Sequence, residues 1–232
     1  MIRRNSIFIS LWLALVGVLT IAICLIDKGS LHLLLCNHHS AWADAVMPVL
    51  SDFANWLPYV VAVGLLIWRW HTGVFVAGGL ILSTLLTQAA KHLVQAPRPL
   101  TWFAENHPDI TLPLTDGVKM NYFLSFPSGH TTTFFCLFFA LCMVGTKLLA
   151  CSKLQTSTRC WLSALVQLIC FALAAVCSYS RIYLSQHFAT DVLGGMIIGV
   201  VSVMMVAGIY ALCKSDITGR NKRHIKRKES AT

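Results

Sequence analysis

Apolar residues in this chain gather into six long runs, at residues 7–26, 56–70, 73–94, 130–150, 161–184 and 188–213. A helix needs about 20 mainly apolar residues to cross a bilayer, and each run predicts one such helix. The second run is short, and it can reach back toward Val46 as a tilted or interfacial helix. The breaks between runs differ in kind. Residues 27–55 are polar and hold Trp42, with Trp56 at their end, and the two suit an interfacial belt. Residues 71–73 and 185–187 leave room only for tight turns, 95–127 is a long loop rich in Pro, Asp and Asn, and 146–160 is polar. The pattern predicts an all-α, integral-membrane bundle of six transmembrane helices. It forms one membrane domain over 1–213, followed by a basic tail over 214–232.

Composition agrees with the pattern. Of 232 residues, 56% are hydrophobic and 12% charged, where a soluble domain carries about 25% charged residues. The first run follows Arg3 and Arg4, as a signal peptide would. It is longer than the usual apolar core of about 7–15 residues, and no small-residue cleavage site follows it, so it reads as a retained span. Nine cysteines fall mostly inside apolar runs, with no CxxC pair and no zinc spacing; only Cys36 lies in a polar stretch.

The net charge of +9 comes largely from Lys214, Arg220, Lys222, Arg223, Lys226, Arg227 and Lys228. Beside a transmembrane helix such a run reads as a cytoplasmic anchor at anionic lipid, not as a nucleic-acid patch. With the N-terminus inside, Arg3, Arg4, Arg69, Lys147, Lys153, Arg159 and the tail share the cytoplasmic side. The positive-inside rule then puts both termini in the cytoplasm. Lys28, Lys91, Arg98, Lys119 and Arg181 lie outside, against the rule, and so ask for an explanation.

Three of these five fall in segments that carry chemistry: Lys91 to Pro99, Phe126 to His130, and Ser180 to Asp191. The alternation of spans brings all three segments to the outer surface, at the ends of four helices. Lys91, Arg98 and Arg181 converging at one membrane face would repel one another and lose solvation. A tetrahedral dianion resolves this, with Arg forks and a Lys point charge on its oxygens. The N-terminal amides of the fourth helix, the Ser128 hydroxyl and the bare backbone of Gly129 add donors and room. His187 and Asp191 stand four apart at a helix start, so the carboxylate can fix one ring nitrogen and free the other to attack phosphorus. His130, from another helix, can protonate the leaving oxygen. With three cations on the transition state, no metal and no cofactor is required.

Taken singly, each residue has a plainer explanation: a snorkelling Lys, a Ser cap, a structural His. Together they would have to place eight polar residues on one side of the membrane by accident. His32, His38, His39 and Asp44 form a looser grouping that could hold a metal, and Glu105, His107 and Asp109 read as a solvated loop. The Phe134, Phe135, Phe138, Phe139 stripe reads as helix core or lipid contact.

The three segments resemble the signature of the type 2 phosphatidic acid phosphatase (PAP2) superfamily: K-x6-RP, PSGH and SR-x5-H-x3-D, matched without a departure from Lys91 to Asp191. The superfamily also includes soluble vanadium haloperoxidases and glucose-6-phosphatase-like enzymes. The resemblance implies that His187 forms a phosphohistidine, Asp191 orients it, and His130 is the general acid. Lys91, Arg98, Ser128, Gly129 and Arg181 would hold the phosphate, without a metal. The stretch from Tyr122 to Phe135 is similar to bacterial members of the lipid A 4'-phosphatase-like and undecaprenyl-pyrophosphate-phosphatase-like kinds. The expected protein is a bacterial inner-membrane enzyme whose partners are the bilayer and a lipid phosphate, with its site on the periplasmic face. Lipid A leads as substrate, followed by undecaprenyl pyrophosphate, phosphatidylglycerophosphate and phosphatidate. A transporter or anion channel is the rival of another class: it would cluster cations, but would not need His130 with the His187–Asp191 pair.

Overall fold

The structure, a computed structural model, describes the backbone of residues 2–229 and the side chains of residues 4–212. The side chains of the basic tail expected over 214–232 lie outside the described residues. Among the described residues eight helices follow a short initial turn: α1 (Ser6–Leu25), α2 (Lys28–Cys36), α3 (Ala41–Trp68), α4 (Trp70–Val94), α5 (Pro99–Asn106), α6 (Gly129–Ala150), α7 (Thr156–Tyr183) and α8 (Ala189–Glu229). Six are long and apolar enough to span a membrane: α1, α3, α4, α6, α7 and α8, the last over Ala189–Leu212. The protein is an all-α, multi-pass membrane bundle.

Two expected boundaries move. The second span begins at Ala41 and runs 28 residues, through Pro48 and Pro58. Asp44 and Ser51 lower the apolar signal of its first half, yet both have partners. Asp44 accepts from the Tyr183 hydroxyl at 2.8 Å, and Ser51 accepts from Arg181. The hairpin between α3 and α4 then turns at Arg69 alone, instead of at 71–73.

The polar breaks also contain structure. Asp27 caps α2, its carboxylate accepting from the amides of Gly29 at 3.0 Å and Ser30 at 3.2 Å. Leu31, His32 and Cys36 on that helix are buried. Inside the long loop, Pro99 starts α5 at a position where a missing amide costs nothing. Phe103 of α5 packs in a cluster with Leu112 and Phe188.

α6 is the central helix. Phe134, Phe135, Cys136, Leu137, Phe138 and Phe139 are consecutive and all buried, so every face of it is covered. The phenylalanine stripe is core. Phe8 joins α1 to this core, 4.9 Å from the Phe139 ring and 5.7 Å from Phe171. Gln167 on α7 accepts from the amides of Ile7 and Phe8, two of the donors that a helix start leaves unsatisfied. The outer flanks expose Val18, Ile21, Val60, Ile67, Ile81, Leu85 and other large apolar side chains. That surface is costly in water and natural in lipid.

Candidate active site

Five helix ends meet at one face. Lys91 lies in the last turn of α4, Arg98 is the residue before α5, Ser128 precedes α6, Arg181 lies in the last turn of α7, and Asp191 is in the first turn of α8. A broken helix end leaves backbone groups unpaired, and the chain uses them to tie segments together. Ser128 donates its amide to the Asp191 carbonyl at 2.9 Å, and its hydroxyl accepts from the Thr131 amide at 3.4 Å. Arg98 donates its amide to the Tyr122 carbonyl, and Ser125 to that of Ala96, so the two ends of the long loop run side by side.

His187 is fully buried between α7 and α8. Its Nδ1 is 3.4 Å from Asp191 Oδ2. The same carboxylate oxygen accepts from the Phe188 amide at 2.9 Å and from the Ser125 hydroxyl at 2.5 Å. Ser125 Oγ is also 3.4 Å from His187 Nδ1. Oδ2 of Asp191 is thereby fixed by three donors, and the ring nitrogen it faces is Nδ1, which leaves Nε2 for a reacting group. Burial pushes the His187 pKa down to about 3, with the hydrogen bond to Asp191 opposing it. The ring is neutral at ordinary pH and keeps a lone pair.

The cations surround this pair. Arg98 Nη1 donates to the carbonyl of Gln186 at 3.2 Å and to its side-chain oxygen at 3.1 Å, and Arg98 Nε to the Phe123 carbonyl at 3.0 Å. Lys91 donates to the carbonyl of Leu124. Arg181 donates to Ser51, and its buried Nε has no partner among the described residues. His130 is half-buried, in the electrostatic range of Arg181, His187, Arg98 and Lys91 together. A Cβ on Gly129 would sit 3.9 Å from Lys91 Cε, an ordinary contact, so Gly129 borders the Lys91 side chain without being forced by it. None of Lys91, Arg98 and Arg181 has a carboxylate oxygen within 4.0 Å among the described residues. All eight residues singled out in the sequence come to this one face.

The looser histidine grouping separates. His39 Nδ1 pairs with Asp44 at 2.7 Å, and its ring stacks on Tyr183. His32 turns elsewhere, its Nε2 3.3 Å from Ser185 Oγ. Among the described residues no group of three His, Cys, Asp or Glu could hold a metal. Glu105, His107 and Asp109 are exposed. Cys36 is buried.

Two contributors, Ser125 and Gln186, escaped the sequence reading, and a third, His32, entered it only in the loose histidine grouping and not at this site. Ser125 is an ordinary serine three residues before Ser128, Gln186 an unspecified position before His187, and His32 belongs to a helix read as polar connection. Only adjacency in space identifies them.

A sequence model described as the PAP2 superfamily matches residues 72–213. The chain is 25% identical over 187 residues to the lipid A 4'-phosphatase of Porphyromonas gingivalis, covering 74% of this chain and 71% of that protein. Two solved structures share the fold. Aquifex aeolicus LpxE superposes with a TM-score of 0.56 at 21% identity, covering 77% of this chain and 93% of that one. The transmembrane PAP2-type phosphatidylglycerolphosphate phosphatase of Bacillus subtilis gives 0.60 at 20% identity, covering 91% and 97%.

Proposed function

This chain belongs to the PAP2 superfamily as a membrane phosphatase, and from that membership we propose that it hydrolyses a lipid phosphate through a phosphohistidine at His187. The observation that carries the reading is the charge imbalance of the site. Lys91, Arg98 and Arg181 gather around a neutral histidine without a paired carboxylate among the described residues. A phosphoryl group supplies the missing negative charge and gives the buried Nε of Arg181 an acceptor.

In the first step His187 Nε2 forms a bond to phosphorus while the bond to the lipid oxygen breaks. His130 delivers its proton to that oxygen, so the lipid leaves as an alcohol, or as a monophosphate if the substrate is a pyrophosphate. Asp191 stabilises the positive charge that develops on the His187 ring. In the second step water attacks the phosphohistidine, its proton returns to His130, and inorganic phosphate leaves. Lys91, Arg98, Arg181 and the amides at the start of α6 hold the equatorial oxygens throughout. The residues supply every charge this scheme needs, so it runs without a metal or cofactor.

Lipid A is the lead substrate, supported by the relative from P. gingivalis. Undecaprenyl pyrophosphate, phosphatidylglycerophosphate and phosphatidate are the alternatives. The site lies on the periplasmic face of a bacterial inner membrane and both termini are cytoplasmic. Arg69, Lys147, Lys153 and Arg159, on the face opposite the site, support this orientation. The test is phosphate release in detergent from these four lipids, by wild type and His187→Ala, with a chelator present. Release that survives the chelator and vanishes in the mutant is expected. Equal release by the mutant excludes the histidine mechanism, and no release by folded wild type favours transport without hydrolysis.

A further inference from the structure

Lys28 is an outside cation that the phosphate site does not use. It opens α2, and its ammonium lies 4.0 Å from the centre of the Phe188 ring and 5.2 Å from that of Trp102. Phe188 directly follows the candidate nucleophile His187. Lys28 has no carboxylate oxygen within 4.0 Å among the described residues. Neighbouring Asp27 cannot serve it, because that carboxylate is committed to the amides of Gly29 and Ser30. Ring faces attract a cation but do not neutralise it.

The space beside Lys28 is a cleft walled by Ile23, Ile26 and Leu31 on one side and by Phe188 and Thr190 on the other. It lies between the end of α1 and the start of α8. Next to it in the chain, Leu25 at the end of α1 is 79% exposed. An apolar wall leading from the bilayer, with one uncompensated ammonium at its head, fits an anionic lipid. Lys28 and Asp191 are also in electrostatic range, so the two sites share one neighbourhood.

A snorkelling lysine would carry its ammonium into water. Here the ammonium is partly buried over Phe188, and burial holds its pKa below the usual lysine value, with Asp191 opposing. We propose that Lys28 binds a second anionic group of the lipid substrate, separate from the phosphoryl group at His187, and so selects lipids that carry two. This rests on the lipid-phosphatase reading and makes Lys28 a specificity residue of the same site.

The experiment compares full-length wild type, Lys28→Gln and Lys28→Arg in detergent on two lipids. Phosphatidate carries only the monoester to be cleaved; phosphatidylglycerophosphate adds a phosphodiester anion. Lys28→Gln is expected to raise KM for the second lipid about tenfold, while kcat and both constants for phosphatidate stay within about twofold. Lys28→Arg, which keeps the charge, recovers most of the difference. Equal losses on both lipids would make Lys28 a structural residue, and unchanged constants would remove it from binding; either overturns the proposal. No release by wild type from either lipid, matching His187→Ala, overturns the phosphatase reading instead, and the two failures are separately visible.

Discussion

His32 on α2 holds Ser185 from across the bundle, its Nε2 3.3 Å from the Ser185 hydroxyl, with both residues buried. Ser185 has φ of 49°, a left-handed conformation that a non-glycine residue adopts at a cost of about 1–3 kcal/mol. It stands two residues before His187, in the turn that aims that ring. His32→Ala should therefore lower kcat about tenfold with KM little changed. Ser185→Gly, which takes positive φ freely, should restore much of that loss in the double mutant. Steady-state kinetics of the four proteins in the cycle check this.

Ser125 gives Asp191 Oδ2 one of its three donors. Hydrogen bonds to a charged group contribute about 1.5–3 kcal/mol. Ser125→Ala should reduce kcat by roughly one to two powers of ten, and Asp191→Asn by about 10⁴, since it disturbs the ring's tautomer. Phosphate release at saturating lipid measures both. Ser125→Ala activity equal to wild type would show that the remaining donors to Asp191 suffice.

Acid should unfold this protein through its buried histidines. Burial lowers His187 to about 3 and His32 to about 4, from 6.5 in an exposed ring. Between those values the unfolded chain binds more protons than the native one. The stability linked to these rings is complete above pH 6.5 and is lost as pH falls, through 4 for His32 and through 3 for His187. Melting in detergent should occur at lower temperature at pH 4.5 than at pH 7.5. His32→Gln should shrink the difference.

Gly195 on α8 faces the start of α6, where a Cβ would come 2.7 Å from the Ser128 carbonyl and 2.9 Å from Thr131 Cβ. Backbone and a packed side chain cannot both move aside cheaply. Gly195→Ala should cost about 1–3 kcal/mol of stability and, by pushing the α6 start, reduce activity more than its melting shift explains. Thermal melts and kcat measured together separate the two effects.

Much of this protein is written in local pattern. A span is a length of apolar chain, so the number and order of the six spanning helices follow from the sequence. The motif residues were legible because their spacing is local: His187 and Asp191 stand four apart on one helix start, and Ser128 and His130 flank Gly129. The extent of α3 was not legible. Its polar first half finds partners far along the chain, Tyr183 for Asp44 and Arg181 for Ser51. The same holds for α2 and α5, short helices that persist by packing Leu31 and Phe103 under the surface. Ser125, Gln186, His32 and Lys28 acquire meaning only beside His187, Arg98, Ser185 and Phe188, and no periodicity encodes those neighbours. Sequence alone determined how many apolar spans the chain has and which polar residues its motifs place at their ends. Tertiary structure decided which polar groups are buried together, because desolvation and hydrogen bonding depend on distance in space and not on separation along the chain.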